Sequence, residues 1–144
     1  MTISDVTNLG LLLITAVVSV FGVYQFISTT RFNRNQSAKE IHSEYIKIGL
    51  DNPTLANPSL KGLDLENLTL GGSREEFERY EWFVSFMLWS FEEVFHLSSD
   101  PSWSSTIRLS LQAHAPYLQS VHVKRAGYLD NVDPVIRKLI SESQ

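Results

Sequence analysis

The chain has 144 residues, a formal net charge of −4 at pH 7 and no cysteine. This length allows one domain of ordinary size. The acidic balance argues against DNA as a partner, because a general nucleic-acid binder presents a basic stripe. The absence of cysteine excludes a disulfide framework, a thiol nucleophile and a zinc–thiolate site.

The first predicted element is an N-terminal membrane span. Val6–Thr30 contains no Asp, Glu, Lys, Arg or His, and its apolar part is close to the ~20 residues that cross a ~30 Å hydrocarbon core as a helix. No Lys or Arg precedes the span, and the apolar run is longer than the core of a signal peptide. We therefore expect an uncleaved anchor.

Basic residues predict how the protein sits in the membrane. Arg31, Arg34 and Lys39 follow the span, whereas Asp5 precedes it. The positive-inside rule then places the N-terminus outside and residues 31–144 in the cytoplasm, as a single-pass protein of the inner (plasma) membrane. The same three cations are expected to contact anionic lipid headgroups, at about 1 kcal/mol per charge near the surface.

Small side chains share one face of the span, namely Thr15, Ser19 and Gly22. Small residues let a second helix approach closely, where packing drives association. This face predicts contact with another copy of the chain or with the span of a partner. The alternative is that these residue types are simply common in membrane spans.

An amphipathic helix is predicted directly after the span, over residues 31–52. An apolar stripe runs along it with 3–4–3 spacing: Ala38, Ile41, Tyr45 and Ile48. We expect the stripe to pack on the rest of the domain, or alternatively to form a short parallel coiled coil. Asn52-Pro53 ends the helix, because a residue before proline is pushed out of the α region.

Residues 53–72 are predicted to form a long, partly packed loop, since their leucines fit neither helical nor strand spacing. Ser73 and Glu76 then form the S-x-x-E capping box that opens a helix. The helix is apolar on nearly every side from Trp82 to Phe91, which predicts the central buried helix. Its apolar run is too short for a second membrane span.

Two proline signals predict the remaining helices. Asp100-Pro101 opens a helix that runs to Ala115, where Pro116 kinks it or restarts it as Pro116–Val123, and Asp133-Pro134 opens Pro134–Ser141. No strand is expected. The fold class is therefore all-α, with one N-terminal transmembrane helix and a small cytoplasmic bundle of about four helices. The organisation is an anchor (1–30), a juxtamembrane helix (31–52), a loop (53–72) and a bundle (73–144) that packs with 31–52.

Glu93 and His96 have the E-x-x-H spacing of di-iron bundles. Such a site needs a second copy of the motif, which the sequence lacks, so we expect no metal. The sequence also lacks a glycine-rich phosphate loop, a nucleophile elbow and a dinucleotide fingerprint, so no cofactor is expected.

Arg108 and His114 are separated by five residues near the predicted kink. This pair resembles the spaced Arg and His motif of the HEPN ribonucleases, which are helical domains, some of them membrane-anchored, that usually act as dimers. The resemblance implies that Arg108 stabilises the phosphate and that His114 transfers a proton at the 2′-hydroxyl. Leu109 stands where that family usually has a polar residue. The alternative is a surface arginine and a half-buried packing histidine.

The layout as a whole resembles uncharacterised bacterial membrane-anchored helical proteins. The matching segments are Leu50–Pro53, Phe91–Phe95, Trp103 and His114–Leu118. That class has no established activity, so the resemblance implies no functional residue.

Three hypotheses follow from the sequence. The first is a non-enzymatic membrane protein that acts through protein–protein contacts, as a homo-oligomer or as a subunit of a membrane complex. The span face and the apolar stripe would make these contacts. The second is a membrane-tethered HEPN-like ribonuclease that uses Arg108 and His114. The third is a ligand-triggered effector that permeabilises the membrane.

Overall fold

The computed structural model describes residues 3–143, with side chains from residue 10 onward. The helices are α1 (Ile3–Asp51), α2 (Pro53–Ala56), α3 (Arg74–Leu97), α4 (Ser102–Gln112), α5 (Ala115–Leu118), α6 (Val121–Arg125) and α7 (Pro134–Glu142). A 3-10 turn covers Pro58–Leu60, and two short strands, β1 (Leu63–Asp64) and β2 (Thr69–Leu70), pair antiparallel. The predicted all-α class is confirmed.

The chain divides into two compact units, residues 1–36 and residues 37–144, which we call the anchor unit and the helical unit. In the anchor unit, the large apolar side chains between Leu11 and Ile27 are exposed. Among the described residues, α1 is the one helix that is long and apolar enough to cross a membrane.

The core of the helical unit is built on α3. The Ser73 hydroxyl accepts a hydrogen bond from the backbone N–H of Glu76 at 3.2 Å, which confirms the predicted N-cap. One face of α3 is buried, and its buried side chains are Phe77, Tyr80, Phe83, Val84, Met87, Leu88, Ser90, Phe91 and Val94. Apolar side chains of α4 and α7, among them Ile107, Leu111 and Ile136, complete this core.

The apolar stripe after the span lies in the same core. Ala38 and Tyr45 are buried, and Ile41 and Ile48 pack against the core from its margin. The ring centroid of Tyr45 lies 5.1 Å from that of Phe91. The stripe therefore packs on the rest of its own unit, which is the first of the two alternatives. Because its side chains are covered there, they are not free to form a coiled coil with a second copy.

Residues 53–72 are more ordered than the predicted loop. They contain α2, the 3-10 turn and the β1–β2 hairpin, so the expectation of no strand was wrong at this point. The Asp64 carboxylate accepts hydrogen bonds from the backbone N–H groups of Glu66 and Asn67, both at 3.0 Å. An aspartate that bonds to the backbone in this way fixes a tight turn. Leu70, at the end of the hairpin, is fully buried.

The helices between α3 and α7 are shorter than predicted. Helix α4 ends at Gln112, and the segment expected to restart as Pro116–Val123 consists of α5 and α6. The break lies at Ser120, whose hydroxyl accepts a hydrogen bond from the backbone N–H of Val123 at 3.3 Å and caps α6. The signal at Asp133 is confirmed, since its carboxylate caps α7 through the N–H of Val135 at 2.8 Å.

Candidate functional site

The helical unit contains a cleft of about 580 Å³ between α3 and the segment that begins at α5. Its lining includes the α3 residues Glu81 and Trp82, the α6 residue His122, and Tyr128 from the turn that follows α6. Ligand sites are typically clefts of about this volume, mostly apolar, with a few convergent polar groups. The cleft therefore has the dimensions and the lining of a small-molecule site.

The Glu81 carboxylate is the polar centre of the cleft. The Tyr117 hydroxyl donates to its Oε1 atom at 3.0 Å, and His122 Nε2 lies 2.8 Å from the same oxygen. A carboxylate can only accept, so the Nε2 atom carries the proton in this pair. Both donors converge on Oε1, and Oε2 receives neither of them.

Tyr128 is a second polar residue of the cleft lining, and unlike Glu81 it has no hydrogen-bond partner for its side chain among the described residues. Its hydroxyl is buried and makes no hydrogen bond among the described residues. Burial, with the nearby Glu81 charge, raises the pKa of Tyr128 to about 12. Gly127 sets the position of this residue by adopting φ +64, a left-handed conformation that glycine adopts without strain. The Tyr128 hydroxyl is neutral and has its hydrogen-bonding capacity unused.

Three aromatic residues on the outer face of α3 form what we call the aromatic strip: Trp82, Phe86 and Trp89. Trp82 is 78% exposed and Trp89 is 52% exposed, and the ring centroids of Phe86 and Trp89 are 5.9 Å apart. Helix α3 is thus the central helix of the core, as predicted, but its outer face is exposed. Exposed contiguous apolar patches mark interaction sites.

Arg108 and His114 do not share a solvent-open site. His114 is fully buried, and its Nδ1 atom lies 3.0 Å from the Tyr80 hydroxyl. Burial lowers the pKa of His114 to about 4. Arg108 is exposed and forms an ion pair with Glu142 at 3.4 Å. A general acid or base must lie within hydrogen-bond reach of its substrate, and solvent does not reach the His114 side chain.

The E-x-x-H pair is not part of a metal-binding cluster among the described residues. Glu93 is half-buried and His96 is exposed on α3. In the part of the chain that the structure describes, no group of three or more His, Asp or Glu side chains is arranged to hold a metal ion.

The predicted packing face of the span is uncovered in the anchor unit. Thr15 Oγ1 and Ser19 Oγ each donate to the carbonyl oxygen four residues earlier, at 2.8 Å. Their hydroxyls are thus satisfied within α1. A Cβ atom added at Gly22 would meet no atom within 4 Å. This surface is smooth and open to a second helix.

The predicted lipid contacts are exposed in both units. Arg31 and Arg34 lie on the surface of the anchor unit, and Lys39 lies on that of the helical unit.

The contacts of Tyr117 and His122 with Glu81 were not predicted from the sequence, because these residues lie 36 and 41 positions from Glu81. The one sequence signal for this site is a carboxylate next to the apolar run of α3.

A comparison of the chain with protein-family models, with curated proteins and with solved structures finds no match.

Proposed function

We propose that this chain is a non-enzymatic, single-pass protein of the inner membrane that assembles with copies of itself. Its N-terminus lies outside, its helical unit lies in the cytoplasm, and α1 is the anchor. The observation that carries the proposal is the aromatic strip, since two tryptophans on the core helix are exposed in the described chain. The orientation is supported by Arg31, Arg34 and Lys39, which follow the span.

The strip has the spacing of a helix–helix contact. Arg79, Trp82, Phe86, Trp89 and Glu93 follow one another at intervals of three, four, three and four residues. This 3–4 pattern lines up side chains along one face and is the pattern of helices that pack side by side. Aromatic side chains bury ~150–250 Å² each when covered, so the strip supplies much of the ~800 Å² per partner of a standard interface.

The charges at the two ends of the strip favour a second copy as the occupant. Arg79 lies seven residues before Phe86, and Glu93 lies seven residues after it. Two α3 helices that cross antiparallel at Phe86 bring Arg79 of each copy to Glu93 of the other. A parallel pair would set like charges against each other, which is unfavourable. The Arg79 guanidinium is held beside Glu76 at 2.8 Å and remains largely exposed.

Cross-linking tests this contact directly, because the natural chain contains no cysteine. A Phe86→Cys chain treated in native membranes with a short bis-maleimide is expected to give a covalent dimer, since the proposed two-fold axis passes at this residue. Adding Trp89→Lys is expected to lower the dimer yield at least about tenfold, because a charge would have to be buried in the contact. Gel analysis of the membrane fraction measures the yield.

Leu109→Lys is the matched control for Trp89→Lys. Leu109 is 69% exposed and lies on α4, outside the strip, so its replacement is expected to leave the yield unchanged. A cysteine at the exposed Ser105 serves as the label control and should not cross-link. Self-assembly through the strip is contradicted if Phe86→Cys remains monomeric or cross-links only to a different protein.

The span is expected to add to the same assembly through Thr15, Ser19 and Gly22. In a chain labelled through Ser19→Cys, the change Gly22→Leu is expected to reduce the cross-linked fraction several-fold, because a bulky side chain separates the two backbones. Gly10→Leu is the control, since Gly10 is equally open and lies on a different face of α1. Equal yields from both leucine variants would remove the span face from the proposal.

A further inference from the structure

We propose that the cleft around Glu81 binds a small organic ammonium ion with an apolar or aromatic body. The cleft shares the Trp82 side chain with the aromatic strip, but its polar centre, Glu81, lies outside the strip. Four groups carry the inference: the Glu81 carboxylate, the indole of Trp82, the unpartnered hydroxyl of Tyr128, and the hydrogen-bond donors that fix the carboxylate.

The carboxylate is prepared to receive a donor. Tyr117 and His122 hold Oε1 at 3.0 and 2.8 Å, which fixes the side chain and leaves Oε2 to a ligand. The pair is only partly shielded, with about a quarter to a third of the Glu81 and His122 side chains exposed to the cleft and solvent. A charged donor makes a hydrogen bond to a carboxylate about twice as strong as a neutral donor does.

The charges around the cleft favour a cation over an anion. Its lining holds two carboxylates, Glu78 and Glu81, and one guanidinium, Arg74. Arg74 lies 3.5 Å from Glu78, so these two charges largely cancel. Glu81 is then the remaining carboxylate of the lining, and its partners Tyr117 and His122 contact it through Oε1 alone.

The walls of the cleft suit the apolar body of such a ligand. Trp82 is the most exposed large side chain of the helical unit at the cleft, and a cation near an indole face is attracted by the ring quadrupole. Tyr128 also lines the cleft, and its hydroxyl is buried without a hydrogen-bond partner among the described residues. A volume of about 580 Å³ accommodates a ligand with one aromatic ring.

Titration calorimetry of the full chain in detergent tests the proposal with three probes of the same shape. These are 2-phenylethylammonium, neutral 2-phenylethanol and anionic phenylacetate. The ammonium is expected to bind at least about tenfold more tightly than the alcohol, and phenylacetate is expected to bind most weakly. Equal binding of the ammonium and the alcohol, or tighter binding of phenylacetate, would overturn the assignment.

Variants locate the site. Glu81→Gln keeps an acceptor for Tyr117 and His122 but removes the charge, and should weaken ammonium binding about tenfold. Glu142→Gln makes the same charge change on α7, outside the cleft, and should have no effect. Trp82→Ala should weaken binding several-fold, and Trp82→Phe should restore part of it.

The thermal unfolding of each variant separates a lost site from a lost fold. Undiminished binding by a folded Glu81→Gln chain would exclude the site. If Glu81→Gln does not fold, undiminished binding by a folded Trp82→Ala chain excludes it instead. Glu81→Gln leaves all three residues of the aromatic strip in place, so its result bears on the cleft and not on cross-linking at Phe86.

Discussion

The Phe91→Ala variant is expected to lose about 3–5 kcal/mol of the free energy of unfolding. Phe91 is fully buried on α3. Its ring packs edge-on against Tyr45 at 5.1 Å and faces the His42 imidazole at 6.5 Å. Truncation removes the apolar surface of the ring and leaves a cavity that the surrounding side chains fill only in part. The C-terminal part of α1 and α3 would lose one of their shared contacts, and Tyr45 would keep its contact with Phe83 at 5.8 Å.

Chemical denaturation of the full chain in detergent, followed by near-UV circular dichroism, measures this loss. The control is Trp89→Ala, which removes a larger ring from the same helix. Trp89 is mostly exposed, so its loss is expected to cost less than about 1 kcal/mol in the monomer. Equal losses for the two variants would mean that the core does not centre on this face of α3.

Local signals account for the parts of the fold that the sequence predicts. The Ser73 cap depends on residues within one helical turn, and the stripe from Ala38 to Ile48 repeats at helical spacing. Both features are properties of a single segment. Both form where they are predicted because the tertiary packing of the helical unit favours the same helices that the local sequence favours.

The hairpin between α2 and α3 has no such local signature. Its strands are two residues long, which is too short for an alternating pattern. It is stabilised by the bonds that the Asp64 carboxylate makes to the following turn and by burial of Leu70 in the core. The burial of Leu70 depends on tertiary packing, so the spacing of residues along the sequence does not predict it.

Composition alone misleads at α3. Trp82, Phe86 and Trp89 make the helix apolar on nearly every side, and such a helix is normally buried. Burial inside one unit and burial between two copies give the same composition, so the sequence cannot separate them. The candidate cleft is hidden for a related reason, since tertiary packing alone brings Tyr117 and His122 to Glu81.

Acidification is expected to destabilise the helical unit by about 3 kcal/mol between pH 6.5 and pH 4, through His114. Burial among aromatic side chains lowers the pKa of His114 from 6.5 to about 4. Above pH 6.5 the imidazole is neutral in both states and has no effect. As the pH falls below 6.5, the unfolded chain takes up a proton that the folded chain does not, so stability is lost until the folded pKa is reached. Burial also lowers the pKa of His42, which adds to the loss in the same direction.

The double variant Tyr80→Phe with His114→Leu is expected to remove most of this acid loss. His114 Nδ1 lies 3.0 Å from the Tyr80 hydroxyl, and His114 Nε2 is buried without a partner. Replacing both side chains together leaves no new unpaired polar group, which is close to neutral at pH 7. His96→Gln is the control, since His96 is exposed on α3 and its replacement should leave the acid loss in place. Free energies of unfolding measured at pH 7, 6, 5 and 4.5 test the prediction, and an undiminished loss in the double variant would assign the effect to other groups.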